Sequence, residues 1–379
     1  MDLTAGQLAV VEHSRGPCRV TGGFGSGVST ALAARARRLV TEGRRPVLVS
    51  MARGGMTRFA VELLARHGRP VSLLWGAEQE AMVASLLDGS LVERAADIAA
   101  AIVAFQASFL GDEELRTHAE AAGCGAEAEE LIAVTSKYLE LLAARDRVDA
   151  GGALVAASLL LRHPPALAAE QERFDELLVD DFQLATFGTN RLLSQLVGHA
   201  GEAVVVGGNA EAAVSTAALA SSRHLERFDR RFGAALDVRL GECHRSPGVP
   251  ALRIVDDGDA VRVAAAEAIG AAKGMGIDRE ATAVVTRALA ETAVGREWPL
   301  VVVPDATEGR WPSERPGARA GPWFDHEVFH GPDVPDEHER DRRWMTLERR
   351  RFAVACSRAT RLLVVIAEVN VTRFVRDLL

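Results

Sequence analysis

The chain has 379 residues, room for two or three domains, and 48% of them are hydrophobic, which supplies a sizeable core and excludes global disorder. Its net charge of -8 excludes indiscriminate polyanion binding and leaves a local basic groove open. The four cysteines, Cys18, Cys124, Cys243 and Cys356, lie too far apart for a metal-ligand motif or a disulfide scaffold. The first residues lack a basic flank leading into an apolar run, and no stretch has the length and apolarity of a membrane span. The expected location is therefore cytoplasmic, with no membrane partner. Lys137 and Lys273 are the two lysines, so nearly all positive charge is arginine.

In chain order, a short apolar strand is expected within Pro17 to Thr21, then a glycine-rich turn from Gly22 to Gly27 and an amphipathic helix from Ser29 to Thr41. A strand at Val47 to Val49 precedes a helix from Thr57 to Ala65, and a further strand is expected at Val71 to Leu74. From Glu78 to Glu172 the composition turns to Ala, Leu and Glu, which predicts a helical insertion. The strand pattern resumes at Leu177 to Val179, Ala203 to Val206, Val238 to Leu240, Ala283 to Val285, Leu300 to Val303 and Leu362 to Ile366. Helices are expected at Phe187 to His199, Asp259 to Lys273 and Arg340 to Arg358, and a long surface loop at Trp311 to Asp336. Strands alternating with helices argue for parallel sheets covered on both faces.

Two segments carry candidate chemistry. Gly22-Gly23-Phe24-Gly25-Ser26-Gly27-Val28-Ser29-Thr30 has the spacing of a phosphate loop between strand and helix, where backbone amides and a helix N-terminus hold phosphate oxygens. Ser29 stands where a hydroxyl would join Mg2+. Val28 stands where a lysine would reach the β- and γ-phosphates. An ordinary glycine turn fits the same residues. The second segment, Val179-Asp180-Asp181-Phe182-Gln183, runs an apolar strand into two carboxylates. Asp180 is a candidate Mg2+ ligand, Asp181 a base or water-orienting group, and Gln183 a γ-phosphate sensor. A solvated strand end fits these residues too.

Taken together, these segments resemble the UvrD/Rep/PcrA-like superfamily-1 DNA helicases, particularly actinobacterial members. Leu3-Thr4 with Gln7 is similar to the adenine-recognising glutamine motif, and Val47 to Ala60 to a motif that in the family contacts single-stranded DNA, which would make Arg53 and Arg58 DNA contacts. Val205 to Glu211 falls where the family has G-D-x-x-Q, and His244-Arg245-Ser246 resembles N-Y-R-S, with Arg245 a phosphate contact. Gly295 to Trp298 resembles the K-G-L-E-W segment, and Glu348 to Ala359 the last motif, with Arg358 as its arginine finger.

The resemblance implies an α/β fold of two RecA-like P-loop NTPase motor domains with parallel sheets and a reduced helical 1B insertion, lacking most of 2B. The expected division is 1–77 and 173–235 for domain 1A, 78–172 for the insertion and 236–379 for domain 2A. It also implies ATP and Mg2+ as cofactors, and single-stranded DNA and a helicase or repair protein as partners. The departures bear on activity. Val28 replaces the lysine, Asp181 a glutamate, Gly208 an aspartate, Glu211 a glutamine, Val214 a base-stacking aromatic and Val294 a second lysine. The expected function is a degenerate, non-unwinding homologue that binds nucleotide, single-stranded DNA or both in repair or recombination. An active DNA-stimulated ATPase and a protein-interaction scaffold without nucleotide are the alternatives.

Overall fold

The computed structural model describes residues 3–198, 203–214, 220–233, 235–244, 251–315, 323–332 and 335–377, and of Arg53, Arg376 and Asp377 only the backbone. The chain opens with α1 (Ala5–Glu12), β1 (Cys18–Gly22), α2 (Val28–Thr41), β2 (Pro46–Ser50), α3 (Gly55–Arg66) and β3 (Ser72–Leu73). Then come α4 (Gly76–Ala84), α5 (Ala95–Ser108), α6 (Asp112–Ala122), α7 (Gly125–Ala143), β4 (Arg147–Val148), α8 (Ala150–Leu160) and α9 (Pro164–Gln171). β5 (Glu176–Asp180), α10 (Phe187–Val197), β6 (Val204–Gly208), α11 (Arg223–Glu226), α12 (Phe228–Phe232) and β7 (Leu236–Leu240) complete the first half. The second half holds β8 (Ala251–Val255), α13 (Gly258–Gly274), β9 (Thr282–Val284), β10 (Trp298–Val303), α14 (Glu337–Cys356) and β11 (Ala359–Glu368).

Two parallel sheets result, as the resemblance implies. The first has the order β2-β5-β6-β1-β7 and the second β8-β11-β10-β9. The β5 and β6 strands are buried along their whole length except at Asp180, which is why they read as unbroken apolar runs. On one face of the first sheet, Val10, Ala31 and Leu32 of α1 and α2 pack on Val20, Leu178 and Val205. On the other, α3, α8 and α10 supply Leu63, Leu154 and Leu192 against Leu177 and Val206. The second sheet packs α13 on one face and Phe352 and Val354 of α14 on the other.

Four expectations are corrected. β7 pairs with β1, from Cys18 beside Leu236 to Gly22 beside Leu240, so residues 236–240 belong to the first sheet and not to the second unit. Its partner is set by tertiary pairing, which residue type does not encode. The strand at Val71 to Leu74 shrinks to two residues and pairs with Arg147-Val148 in a separate ladder. That ladder is the neck through which the insertion leaves and re-enters. The insertion accordingly ends before α8: Ala153, Leu154, Ala157 and Leu160 pack on the first sheet rather than within the insertion. Finally, the stretch Trp311 to Asp336 is not a surface loop throughout. Trp311 is buried edge-on against Phe352 in the second unit, while Phe324, Val328 and Phe329 are buried in the core of the insertion beside Phe105. Their apolar area finds two different covers, and sequence names neither. β8 was not anticipated: Ala251 to Val255 is half exposed at a sheet edge and lacks an alternating or continuous apolar signal.

Among the described residues no single helix is long and apolar enough to cross a membrane.

Candidate functional site

Parallel pairing brings four strand ends to one edge. Thr21 of β1 lies beside Gly208 of β6, and Ser50 of β2 beside Asp180 of β5. The turns that follow β1, β2, β5 and β6 therefore meet outside the carboxyl end of the sheet, where ligands bind in such folds. They form one wall of a cleft of about 860 Å³. The opposite wall comes from the second unit through Val294, Gly295, Glu297, Arg358 and Thr360.

The phosphate-loop candidate borders this cleft from Gly23 to Thr30. Gly27 has φ 82°, a left-handed conformation that starts α2 and turns its first amides toward the cleft. Gln7 closes the capping box of α1, accepting from the Thr4 amide at 3.0 Å, and donates to the Ser26 carbonyl at 3.3 Å. It is buried, and holds the loop against α1. Gly22 sits beneath the Ser26 hydroxyl, which is buried without a hydrogen-bond partner.

Val28 does not face the cleft alone. A Cβ added at Gly207 would lie 2.6 Å from Val28 Cγ1, so the valine lies on the β6 backbone and joins the core beneath α2. Gly208 is constrained in turn by Gln183, whose side-chain oxygen occupies the space a Cβ would need. Gln183 is buried, accepts from the Asn209 amide at 3.0 Å and donates to Asp181 at 3.3 Å.

The two carboxylates have distinct settings. Asp181 has φ 55°, which turns it off the strand, and accepts from the Ser50 hydroxyl at 3.0 Å. Asp180 is hydrogen-bonded with Ser29 and accepts the Asp181 amide at 2.9 Å. Burial, and next the Asp181 charge, still push its pKa up to about 6. A half-buried carboxylate beside a second one and a serine hydroxyl, with no cationic side chain paired to either among the described residues, is a donor set suited to a hard divalent ion. Ser29 and Asp180 are the residues that fit Mg2+.

On the facing wall Arg358 is buried. It donates to Ser357 Oγ at 2.9 and 3.2 Å, and its guanidinium lies 5.4 Å from the ring of Phe24 in the phosphate loop. The helix that delivers it is held by Glu348, which is wholly buried and accepts from Arg287, Arg351 and the Ser313 amide.

The structure thus brings Gln7, Gly23, Gly25, Ser26, Gly27, Ser29, Thr30, Arg58, Asp180, Asp181, Gln183 and Arg358 to one cleft. Val28, Gly208 and Val294 line it too. Val214 is wholly buried in the core of the second unit and Ala212 packs beside it, so the position where a stacking aromatic is expected from the resemblance is part of a packed contact. Glu211 is exposed. Arg245 lies outside the described residues, as does the side chain of Arg53. Sequence reasoning missed Ser50 and Phe24. Each is an ordinary residue at a strand end or turn, and only the register and the closeness of the second unit reveal it.

Residues 62–210 match the family model described as UvrD/REP helicase N-terminal domain. The chain is 30% identical over 286 residues to proteins named ATP-dependent DNA helicase UvrD2 from Mycobacterium bovis (strain ATCC BAA-935 / AF2122/97) and from Mycobacterium tuberculosis (strains CDC 1551 / Oshkosh and H37Rv). Each alignment covers 63% of this chain and 41% of the relative, so the chain spans about two fifths of the length of these relatives.

Proposed function

Because the chain is UvrD-like in sequence and in its α/β motor fold, we propose that it is a Mg2+- and nucleotide-binding accessory protein of DNA repair or recombination that also holds single-stranded DNA and does not unwind duplexes. One observation carries this reading. The cleft holds the glycine loop, the Ser29–Asp180 pair and the Ser50–Asp181–Gln183 chain, while the half-buried Val28 lines it without a charge and packs on Gly207.

Each retained group has a task. The loop amides and the start of α2 bind phosphate oxygens. Ser29 and Asp180 hold Mg2+, which when bound neutralises phosphate charge. Asp181, oriented by Ser50 and Gln183, accepts a hydrogen bond from the attacking water. It is one methylene shorter than a glutamate, so its oxygens stand back from that water, and a displacement near 1 Å lowers a rate by about 100-fold. Losing one charge from the phosphates removes a further factor of about 100–1000. Binding therefore outlasts turnover. The partner class in this reading is a helicase or repair protein.

The buried loop aromatics weigh against a scaffold role. Trp311, Phe324 and Phe329, the anchors such a surface would offer, are covered within the chain.

The test is Mg2+-dependent ATP turnover and duplex unwinding with and without single-stranded DNA, alongside Asp180→Ala. The expected result is nucleotide binding lost in the variant, turnover near the variant's background and no unwinding. Strand separation that requires Asp180 would sink the reading.

A further inference from the structure

The cleft lacks a lysine at residue 28, yet a cation stands in its lining. Arg58 borders it together with Ser29, Ser50, Asp180 and Asp181. Its position follows from the way α3 begins. Gly55, the first residue of that helix, lies directly under the Ser50 carbonyl oxygen, in the space where any Cβ would be. The glycine lets α3 start against the end of β2, beside the Ser50 hydroxyl that holds Asp181. Arg58 comes three residues later, on the same helical face, and helical side chains tilt toward the N-terminus, so its guanidinium extends back over Gly55 toward the cleft.

The arginine is also uncommitted. Arg66, two turns further along α3, is tied to Glu170 at 2.7 Å. Arg58 is exposed and, among the described residues, has no ion pair or hydrogen bond, although two carboxylates line the same cleft. A guanidinium offers a planar fork that matches phosphate oxygens in a bidentate way, which suits it to stand in for a lysine arriving from another direction.

We propose that Arg58 supplies the positive charge that Val28 does not, by contacting the β- and γ-phosphate oxygens of a nucleotide seated on the loop Gly22 to Ser29. The role assigned here differs from a contact to single-stranded DNA. It rests on the nucleotide-binding reading above, and the experiment separates the two.

The full chain, Arg58→Ala, Arg58→Lys and the surface control Arg37→Ala are titrated with fluorescently labelled ATP and AMP in Mg2+, and with labelled oligo(dT). Thermal melts check that each variant is folded. Loss of a charge-assisted contact of about 1.5–3 kcal/mol corresponds to ATP binding weakened by about 10- to 100-fold in Arg58→Ala. AMP, which lacks the contacted phosphates, binds as before, and Arg58→Lys recovers part of the ATP affinity. Three results overturn the proposal alone: ATP binding unchanged in Arg58→Ala, ATP and AMP weakened equally, or loss confined to oligo(dT). Failure of the wild-type chain to bind either nucleotide overturns the proposal and the nucleotide reading together.

Discussion

The two walls of the cleft are built differently. The wall from the first sheet is polar and hydrogen-bonded: the Ser29–Asp180 pair, the chain from Ser50 through Asp181 to the buried Gln183, and the glycines under Val28 and Gln183. The wall from the second unit presents Arg358 with Glu297 and Thr360, and beside them Ala212, Val214 and Val294 pack into the core of that unit. The proposed phosphate-binding edge is part of a sheet.

The strongest way to break this contrast is to remove a support of the polar wall. Arg35 on α2 is buried against Glu176 at the start of β5, with bonds of 2.5 and 2.9 Å, and also donates to the carbonyls of Val10 and His13 at 2.8 Å. Arg35→Met leaves the buried Glu176 with only Arg44, at 3.7 Å, as a cationic partner among the described residues, and the loss of the close pair costs about 3–5 kcal/mol. Urea unfolding is expected to show a midpoint lowered accordingly, and nucleotide binding lost with the fold.

Asp180 tests the opposite sign. Its pKa in the folded chain, about 6, lies above the ordinary carboxylate value, so the fold binds that proton more tightly than the unfolded chain does. Its contribution is therefore fully favourable at low pH and is lost as pH rises through 6. Asp180→Asn removes a penalty of about 3 kcal/mol at pH 8, taking 1.36 kcal/mol per pKa unit. Unfolding at pH 8 is expected to show the variant more stable than wild type, with the gain vanishing toward pH 4. A destabilised variant at pH 8 would refute the burial argument.

Gly208→Asp, which writes the family's residue back, is expected to destabilise by about 1–3 kcal/mol, because its side chain meets Gln183. Calorimetry decides it, and an unchanged melting temperature would mean that Gln183 has room to move. The smallest effect lies across the cleft. A double-mutant cycle on Phe24→Ala and Arg358→Ala is expected to give a coupling of about 0.5–2 kcal/mol for the guanidinium over the ring. No coupling would mean that the two walls are mechanically independent.

Much of this was legible in the chain itself. The glycine turn, the two aspartates after an apolar strand and the final arginine motif are local patterns, and their order alone led to the fold and to most of the cleft. The missing lysine was equally plain. Where Val28 went was not, since its contact with Gly207 joins residues far apart in the chain. The aromatic loop shows the same limit. Phe329 and Trp311 read alike, as loop aromatics expected to pack onto the second domain, but only Trp311 does so and Phe329 is covered by the insertion.

Most of the elements and the identity of the candidate reactive groups are therefore local, because helix and strand periodicity, glycine turns and charge are properties of neighbours along the chain. The tertiary structure alone decided which sheet β7 joins, that Ser50 holds Asp181, that Gly55 brings Arg58 to the cleft and that Val214 is core. Those outcomes depend on strand register and on which apolar surfaces meet, and residue type leaves both undetermined until the whole chain is packed.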